Sequence, residues 1–433
     1  MTAQSPVIPF DRAGLLEFLA GARFASSLTT LMVATGFLSH VLRNTIGWPG
    51  LITIVIALVL LALASMLARR GTFEWQGIWP ISLLVFVGWC GISVFWSEYQ
   101  WATVGGVAYQ VAFAFMAVYI ALTRDFIQIV RVFGDVLRVA LVVSLALEIF
   151  SGILVDTPLR FIGIAGNLAD GGPIQGIEGT RNQLGLVSLL ALVTFGTELL
   201  TSSVRRPVGI ASIVLASVTI VFSQSPVSFG VLVVLGVVSF AILGLRRIPA
   251  ENRKYWQVAL AALAAIAAAL AWGFRTRVLE FLDATRELDY RLDLWHDLYD
   301  LVRVNFLEGW GWVGAWRTEI APFFAIDAVD GRLHESGLNA YLDVWFQVGI
   351  VGLIAFTAYV LLAFGRAWVL ATHNKSRIFV WPTLTLAALL TTSLAESSIL
   401  VEAGWLTLTI CAVKVAQHLS WRRALPELPG SRD

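Results

Sequence analysis

The side chains best suited to proton transfer and anion binding gather in one polar segment, residues 274–337. His334 is one of five histidines in the chain, and a neutral imidazole with an ordinary pKa of about 6.5 can accept a proton at physiological pH. The segment also carries Arg275, Arg277, Arg286, Arg291, Arg303, Arg317 and Arg332. A lone histidine near a helix start is more often structural than catalytic. The arginines in the same segment favour a functional site.

A helix with one apolar face is predicted within this segment, over about 285–306. The apolar side chains that recur at steps of three and four are Leu288, Leu292, Trp295, Tyr299, Val302 and Phe306. Four aspartates gather on the other side, and Arg291 falls at the margin of the apolar stripe. We therefore expect Leu292, Trp295 and Tyr299 to be buried and Arg291 to face the protein. The simpler alternative is a solvated acidic face beside a snorkelling Arg291.

Membrane-spanning helices must position these residues. Of the 433 residues, 58% are hydrophobic and 14% are charged, whereas soluble domains carry about 25% charged residues. The net charge of +1 is carried by dispersed residues, which argues against nucleic acid as a partner. Cys90 and Cys411 lie in apolar stretches and are interpreted as small core residues, not as a disulfide or metal pair.

The hydropathy pattern predicts an all-α, polytopic transmembrane helix bundle of about 12 spans, with residues 1–433 forming a single integral membrane domain. The predicted spans cover 27–45, 49–68, 78–96, 103–122, 133–154, 183–200, 207–223, 227–245, 255–273, 338–365, 378–396 and 399–418. With a cytoplasmic N-terminus every inside loop is basic, as the positive-inside rule requires, and both termini are cytoplasmic. Residues 274–337 then form a long extracytoplasmic loop between spans nine and ten.

Five short strings occur in the order expected for one known family. They are "WSEYQW" from Trp96, "GTRNQLG" from Gly179, "YRLDLW" from Tyr290 with "EGWGWVGAW" after it, "HESGLNAYLDVWFQVGIVGL" from His334, and "LAESSIL" from Leu394. With the hydropathy profile, they make the chain resemble the O-antigen ligase and exopolysaccharide polymerase family over most of its length. Members of that family transfer glycans from undecaprenyl pyrophosphate at the outer face of the bacterial cytoplasmic (inner) membrane.

The resemblance implies a metal-independent glycosyltransferase without cofactors, whose substrate is an undecaprenyl-pyrophosphate-linked glycan embedded in membrane lipid. It carries a general-base role onto His334 and a pyrophosphate-binding role onto Arg291, and Arg181 looks like a basic position of the exopolysaccharide branch. Two positions depart from the pattern. Pro226 stands where ligases often have an arginine, which favours a polymerase, and Glu335 follows the histidine where relatives often have asparagine.

Glu98 is the only acidic residue in the short outer loop after the third predicted span. It is a substrate-binding candidate, and the alternative is a solvated loop carboxylate. No cluster with metal-ligand spacing occurs in the predicted outer loops, so no metal site is predicted.

Two other functional classes are consistent with the sequence. About twelve spans with both ends inside are typical of transporters and lipid-linked glycan flippases, but the charged residues concentrate in an outer loop and not near the midplane. A non-catalytic scaffold of a glycan assembly complex is the other. For a polymerase, a chain-length regulator or a flippase is the expected protein partner.

Overall fold

The computed structural model describes residues 12–70, 80–249, 251–274, 285–330 and 334–419. These residues form fifteen α-helices, and the only β pairing among them is an isolated bridge between Leu159 and Ile164. The all-α prediction is confirmed. The helices are α1 (Arg12–Ala20), α2 (Ala22–Phe37), α3 (Ser39–Ala68), α4 (Ile81–Ile92), α5 (Gln100–Thr123), α6 (Phe126–Ile149), α7 (Arg181–Leu200), α8 (Arg206–Ser223), α9 (Pro226–Arg247), α10 (Arg253–Gly273), α11 (Thr285–Val304), α12 (Phe323–Asp330), α13 (Ala340–His373), α14 (Val380–Thr392) and α15 (Glu402–His418).

Seven helices in the described part of the chain are long and apolar enough to cross a membrane. The number becomes eight if α1 and α2, which meet at a bend of 53°, are counted as one span. The predicted count of about twelve is therefore not confirmed. Several predicted spans contain only a shorter α-helix: α4 has 12 residues, α14 has 13 and α15 has 17. A 3₁₀ helix of three residues lies beside each of them.

Glycines interrupt the two longest helices. Gly47, with φ 73°, breaks α3 between the first two predicted spans. Gly349, with φ 68°, breaks α13 inside a single predicted span. A side chain at position 349 would collide with the backbone of Leu307, so only glycine allows the chain after α11 to pack there. Gly311 N donates to Gln347 O at 2.7 Å in the same contact.

The apolar core of the bundle contains large aromatic side chains that neighbouring helices enclose completely. Trp381 and Trp405 are fully buried, and each indole N–H finds an acceptor. Trp381 Nε1 donates to Thr194 Oγ1 at 3.1 Å, and Trp405 Nε1 donates to Gln110 O at 3.1 Å. These pairs tie α14 to α7 and α15 to α5 while satisfying the polar edge of each ring.

Cations lie at both ends of the helix bundle. We call the end at which α7 begins the site face. At the opposite face, basic side chains cap helix ends by donating to backbone carbonyls, including Arg69 to Gly21, Arg124 to Ala22, Arg246 to Ala371 and Lys414 to Ala121, at 2.8 to 2.9 Å. Ala121 and Ala371 lie near carboxyl ends of helices, where the helix dipole favours a cation, and Gly21 and Ala22 lie at the junction of α1 and α2. The assignment of this face to the cytoplasm stays a prediction from the charge pattern.

The amphipathic helix predicted at 285–306 is observed as α11, with its buried line rotated from the predicted stripe. Leu294, Leu298 and Arg291 are buried, so the expectation that Arg291 faces the protein is confirmed. Leu292 and Tyr299 are each 48% exposed, and the expectation that they are buried is wrong. The helix packs along the line of Leu294, Leu298 and Val302, which leaves one edge of the predicted apolar stripe uncovered.

Trp295, the third residue expected to be buried, is half-buried. Its indole Nε1 donates to Gly337 O at 2.9 Å. This bond fastens α11 to the chain that precedes α13.

The glycine-rich loop between α6 and α7 folds back onto the site face. Glu148, fully buried in α6, accepts from the backbone N–H groups of Gln175 and Gly176 at 2.8 Å each. The loop then buries Glu178, which is 6% exposed and whose Oε1 has no hydrogen-bond partner among the described residues. Burial, together with the negative charge of Glu402, raises the pKa of Glu178 to about 8.

This carboxyl should make the protein less stable as the pH rises. Between the ordinary pKa of a glutamate, about 4.3, and about 8, the folded protein binds one more proton here than the unfolded chain, so stability falls across this window and levels off above it. Between pH 5 and pH 9 the wild-type protein should lose on the order of a few kcal/mol of its free energy of unfolding through this carboxyl, and Glu178→Gln should remove that loss. Thermal unfolding in detergent at both pH values measures it. A wild-type protein and variant with the same pH dependence would contradict the assignment.

Candidate functional site

Two arginines and two carboxylates meet where α7 begins, beside α11 and the turn that follows α14. Arg181 is the first residue of α7, and the helix starts there because Thr180 Oγ1 accepts from Gln183 N at 3.2 Å. Asn182 follows it. The cap therefore presents a cation and an amide together at the amino end of a helix, the end that favours negative charge.

Glu287 of α11 joins the two arginines. One carboxylate oxygen pairs with Arg181, and the other accepts from Arg291 Nη2 at 2.9 Å and from Asn182 Nδ2 at 3.2 Å. Glu287 and Arg291 are four residues apart on one helix, the spacing at which side chains meet. A single carboxylate thus bridges two guanidinium groups from different parts of the chain.

Glu396 closes the same group from the turn after α14. Its Oε1 accepts from Arg291 Nη2 at 2.9 Å and from Asn182 Nδ2 at 2.7 Å. The Asn182 amide oxygen accepts from Ser225 Oγ at 2.7 Å, which adds the start of α9. We call Arg181, Asn182, Glu287, Arg291 and Glu396 the arginine cluster.

The two arginines differ in exposure. Arg291 is 5% exposed and also donates to the backbone carbonyls of Leu338 and Ala395. The side chain of Arg181 is 36% exposed, so part of its guanidinium faces outward. Burial alone would favour a neutral Glu287, but hydrogen bonds from Arg291 and Asn182 with the charge of Arg181 outweigh it and lower the pKa of that carboxyl.

His334 lies against the same turn of α11. Its Nε2 is hydrogen-bonded to the hydroxyl of Tyr290, the residue before Arg291, and the two rings stack with centroids 5.5 Å apart and planes at 16°. The histidine is 3% exposed. Since Arg291 bonds to Leu338 O, four residues after His334, one helical turn holds both the cation and the imidazole.

A buried carboxylate supports the chain that carries His334. Asp343, fully buried in α13, accepts from Trp316 Nε1 at 2.8 Å, from Gln347 Nε2 at 2.7 Å and from Gly337 N at 3.2 Å. These bonds join the segment before α13 to the chain after α11. Asp343 therefore fixes the backbone three residues from His334 without contacting the arginine cluster.

The structure brings together three of the four residues proposed from the sequence. Arg181 and Arg291 share Glu287, and His334 touches the neighbour of Arg291. Glu98 is exposed in the turn before α5, and the described contacts include no hydrogen bond or ion pair from it to this group. Its interpretation as a solvated loop carboxylate fits this position better.

Sequence reasoning missed the polar residues that hold the two arginines and His334 in place. Asn182, Tyr290 and Glu396 all lie in the strings "GTRNQLG", "YRLDLW" and "LAESSIL", so a signal was present. Glu287 lies three residues before the second string. Within the described residues, no group of three or more histidine, cysteine, aspartate or glutamate side chains is arranged to hold a metal ion.

Residues 211–357 match the family model described as "O-Antigen ligase". The matched region extends from α8 into α13 and includes Arg291 and His334, whereas Arg181 and Glu396 lie outside it. A comparison with curated proteins gave no match.

Proposed function

We propose that this protein transfers a saccharide from undecaprenyl pyrophosphate to an acceptor hydroxyl, as a multi-pass protein of the bacterial inner membrane. The proposal starts from the match of residues 211–357 to the O-antigen ligase family. The family implies an O-antigen ligase or polymerase type of membrane enzyme acting on a lipid-linked glycan. The donor, the outer face as the place of reaction and the roles of individual residues are the parts that we add.

The observation that carries the proposal is the arginine cluster beside His334. Guanidinium groups bind phosphate oxygens through paired, charge-assisted hydrogen bonds. Arg181 and Arg291 converge on the two oxygens of Glu287. A pyrophosphate that displaced this carboxylate would bind both guanidinium groups. In the proposed topology the site face is the outer face. The pyrophosphate would reach it from the membrane surface while the lipid tail stays in the bilayer.

The residues divide the reaction between charge stabilisation and proton transfer. The acceptor oxygen forms a bond to the anomeric carbon while the bond from that carbon to the pyrophosphate oxygen breaks. His334 takes the hydroxyl proton, and Arg181 and Arg291 stabilise the undecaprenyl pyrophosphate that leaves. Direct displacement of this kind inverts the configuration of the anomeric carbon.

His334 needs an open ring nitrogen to act as a base. Its Nε2 now bonds to the hydroxyl of Tyr290, which stands in for the alcohol of an acceptor. We infer that the acceptor hydroxyl replaces this partner when it binds.

The start of α9 favours a polymerase over a ligase. Pro226 stands where the resemblance expects an arginine in ligases, and the preceding Ser225 contacts Asn182 of the arginine cluster. An arginine at position 226 would thus lie next to this cluster, and in this chain Arg181 provides a cation on the neighbouring helix. This placement supports polymerisation of an exopolysaccharide or O-antigen.

Deleting the protein in its own bacterium should stop polymer formation and leave lipid-linked repeat units at the outer face. A glycosidase or labelling reagent applied to spheroplasts measures which side they occupy. Repeat units protected inside would instead favour the flippase alternative. Normal polymer in the deletion strain would overturn the proposal.

Transfer by the purified protein should persist in excess EDTA, because two arginines supply the positive charge at the leaving group. The measurement is release of undecaprenyl pyrophosphate from a lipid-linked glycan in nanodiscs, with and without the chelator. Loss of activity that added Mg²⁺ or Ca²⁺ restores would show that a cation takes part.

A further inference from the structure

A second group of charged and aromatic side chains lies on the site face, centred on Glu402 at the start of α15. Glu402 Oε1 accepts from Arg43 Nη1 at 2.9 Å and from the Tyr109 hydroxyl at 3.1 Å. The Arg43 guanidinium lies 4.9 Å from the ring centre of Trp48, and the Trp48 and Tyr109 rings meet edge to face at 5.9 Å. The described hydrogen bonds and ion pairs of these residues do not include one to the arginine cluster.

The same surface continues along α5. Trp101 is 61% exposed, and the Arg317 guanidinium covers its ring at 4.9 Å. Trp101 and Tyr109 are eight residues apart on one helix, which separates them by about 12 Å along its axis. Gly105 between them lies beside Arg317, whose Nη2 would be 3.6 Å from a Cβ at this position.

We call this surface the tryptophan groove, formed by Arg43, Trp48, Trp101, Tyr109, Arg317 and Glu402. Each exposed indole has a guanidinium beside it, and the carboxylate joins the Arg43–Trp48 pair to Tyr109. One pair includes Trp101 and the other adjoins Tyr109, and these two positions are about 12 Å apart along α5, which is longer than one sugar ring.

The groove leads into a small pocket that is short of hydrogen bonds. Tyr109, Gln110, Trp312 and Glu402 line it. Trp312 is fully buried, and its Nε1–H has no hydrogen-bond partner in the described part of the chain. A buried donor without an acceptor is costly, so a ligand oxygen would be bound favourably here.

The segment that carries His334 approaches both sites. Leu338 bonds to Arg291 of the arginine cluster. On the other side, the exposed carboxylate of Glu335, next to His334, is close enough to act electrostatically on His40 and Glu402. The backbone bond of 3.0 Å from Trp316 N to Glu335 O also connects this segment to the chain carrying Arg317. The segment that carries His334 therefore connects to the arginine cluster at Leu338 and to the chain that carries Arg317 at Glu335.

We propose that the tryptophan groove binds the acceptor saccharide. This inference rests on the proposed transfer reaction, in which the acceptor must approach the anomeric carbon from the side opposite the pyrophosphate. Sugar hydroxyls both donate and accept hydrogen bonds, and they match the mixture of Arg43, Arg317 and Glu402. Aromatic faces pack on the C–H surfaces of sugar rings. A polyanion would instead meet the carboxylates of Glu402 and Glu335.

The test is binding of a lipid-free oligosaccharide, the repeat unit released by mild acid from the bacterium's own lipid-linked pool. The protein is held in nanodiscs, and titration calorimetry gives the dissociation constant. Trp48→Ala and Trp101→Ala should each weaken binding about tenfold, a change of about 1.4 kcal/mol. Both residues are exposed, at 44% and 61%, so their removal should leave the fold intact. Trp256→Ala is the matched control, since this indole is 53% exposed on α10.

Undecaprenyl pyrophosphate is the second probe in the same samples. The two tryptophan variants should bind it as the wild type does, because the arginine cluster is unchanged. Unaltered oligosaccharide binding in both variants, or no binding by the wild type, would overturn the acceptor assignment. If the wild-type protein did not bind undecaprenyl pyrophosphate, the result would instead count against the proposed donor. The two failures are therefore distinguishable.

Discussion

Replacing His334 with alanine should lower the rate of glycan transfer by about a thousandfold while the protein stays folded. A positioned general base contributes about 10² to 10⁴ in rate, and no other described histidine lies against the turn that carries Arg291. The measurement is initial-rate release of undecaprenyl pyrophosphate by the purified variant. Its thermal unfolding should remain close to that of the wild type.

Tyr290→Phe is the control that separates the base from its hydrogen-bond partner. Phenylalanine keeps the ring that stacks on His334 and removes only the hydroxyl. If that hydroxyl merely stands in for the acceptor, transfer should stay within about tenfold of the wild-type rate. Full activity in His334→Ala, or a loss in Tyr290→Phe as large as in His334→Ala, would refute the assignment of the base.

Replacing Arg291 with lysine should reduce transfer by about a hundredfold. Lysine keeps the positive charge, so Glu287 and Glu396 are not left as unpaired buried carboxylates. It lacks the planar fork that donates to two carboxylates at once and that would grip a pyrophosphate in two places. Two measurements should show this effect. The transfer rate at saturating acceptor should fall, and the affinity for undecaprenyl pyrophosphate should also fall.

Arg303→Lys provides the matched control for this experiment. Arg303 belongs to the last turn of the same helix and is exposed, so this substitution should leave transfer and donor affinity at wild-type values. Equal effects of the two substitutions would mean that α11 responds to any loss of arginine and that position 291 has no special role.

Local sequence patterns predicted the elements of this fold better than the contacts between them. The three-to-four spacing of apolar residues located α11 within two residues, because that spacing reflects helix geometry alone. The choice of buried face depends on which strip the rest of the protein covers. For that reason Arg291 was placed correctly, whereas Leu292 and Tyr299 were not.

The amide and carboxylates of the site illustrate the same limit. Asn182, Glu287 and Glu396 come from segments more than a hundred residues apart, and no periodicity links them. The strings that contain Asn182 and Glu396 identified the segments, but only the packing of α7 against the turn after α14 shows that their side chains meet. The short helices α4 and α14 were likewise taken for complete spans, because hydropathy reports that a segment is apolar and not how far its helix continues.

The bridge made by Glu287 gives the site a tethered competitor. A carboxylate fixed on the same helix as Arg291 is present at a high effective concentration, so a small free anion such as phosphate or chloride must displace it to reach both guanidinium groups. Undecaprenyl pyrophosphate carries more charge and is confined to the membrane plane, which raises its own local concentration. In the proposed reaction, the return of Glu287 to the arginines after transfer would help to expel the spent lipid carrier. If the proposed reaction takes place here, such a site would reject abundant solutes and would release its product without exposing two uncompensated cations.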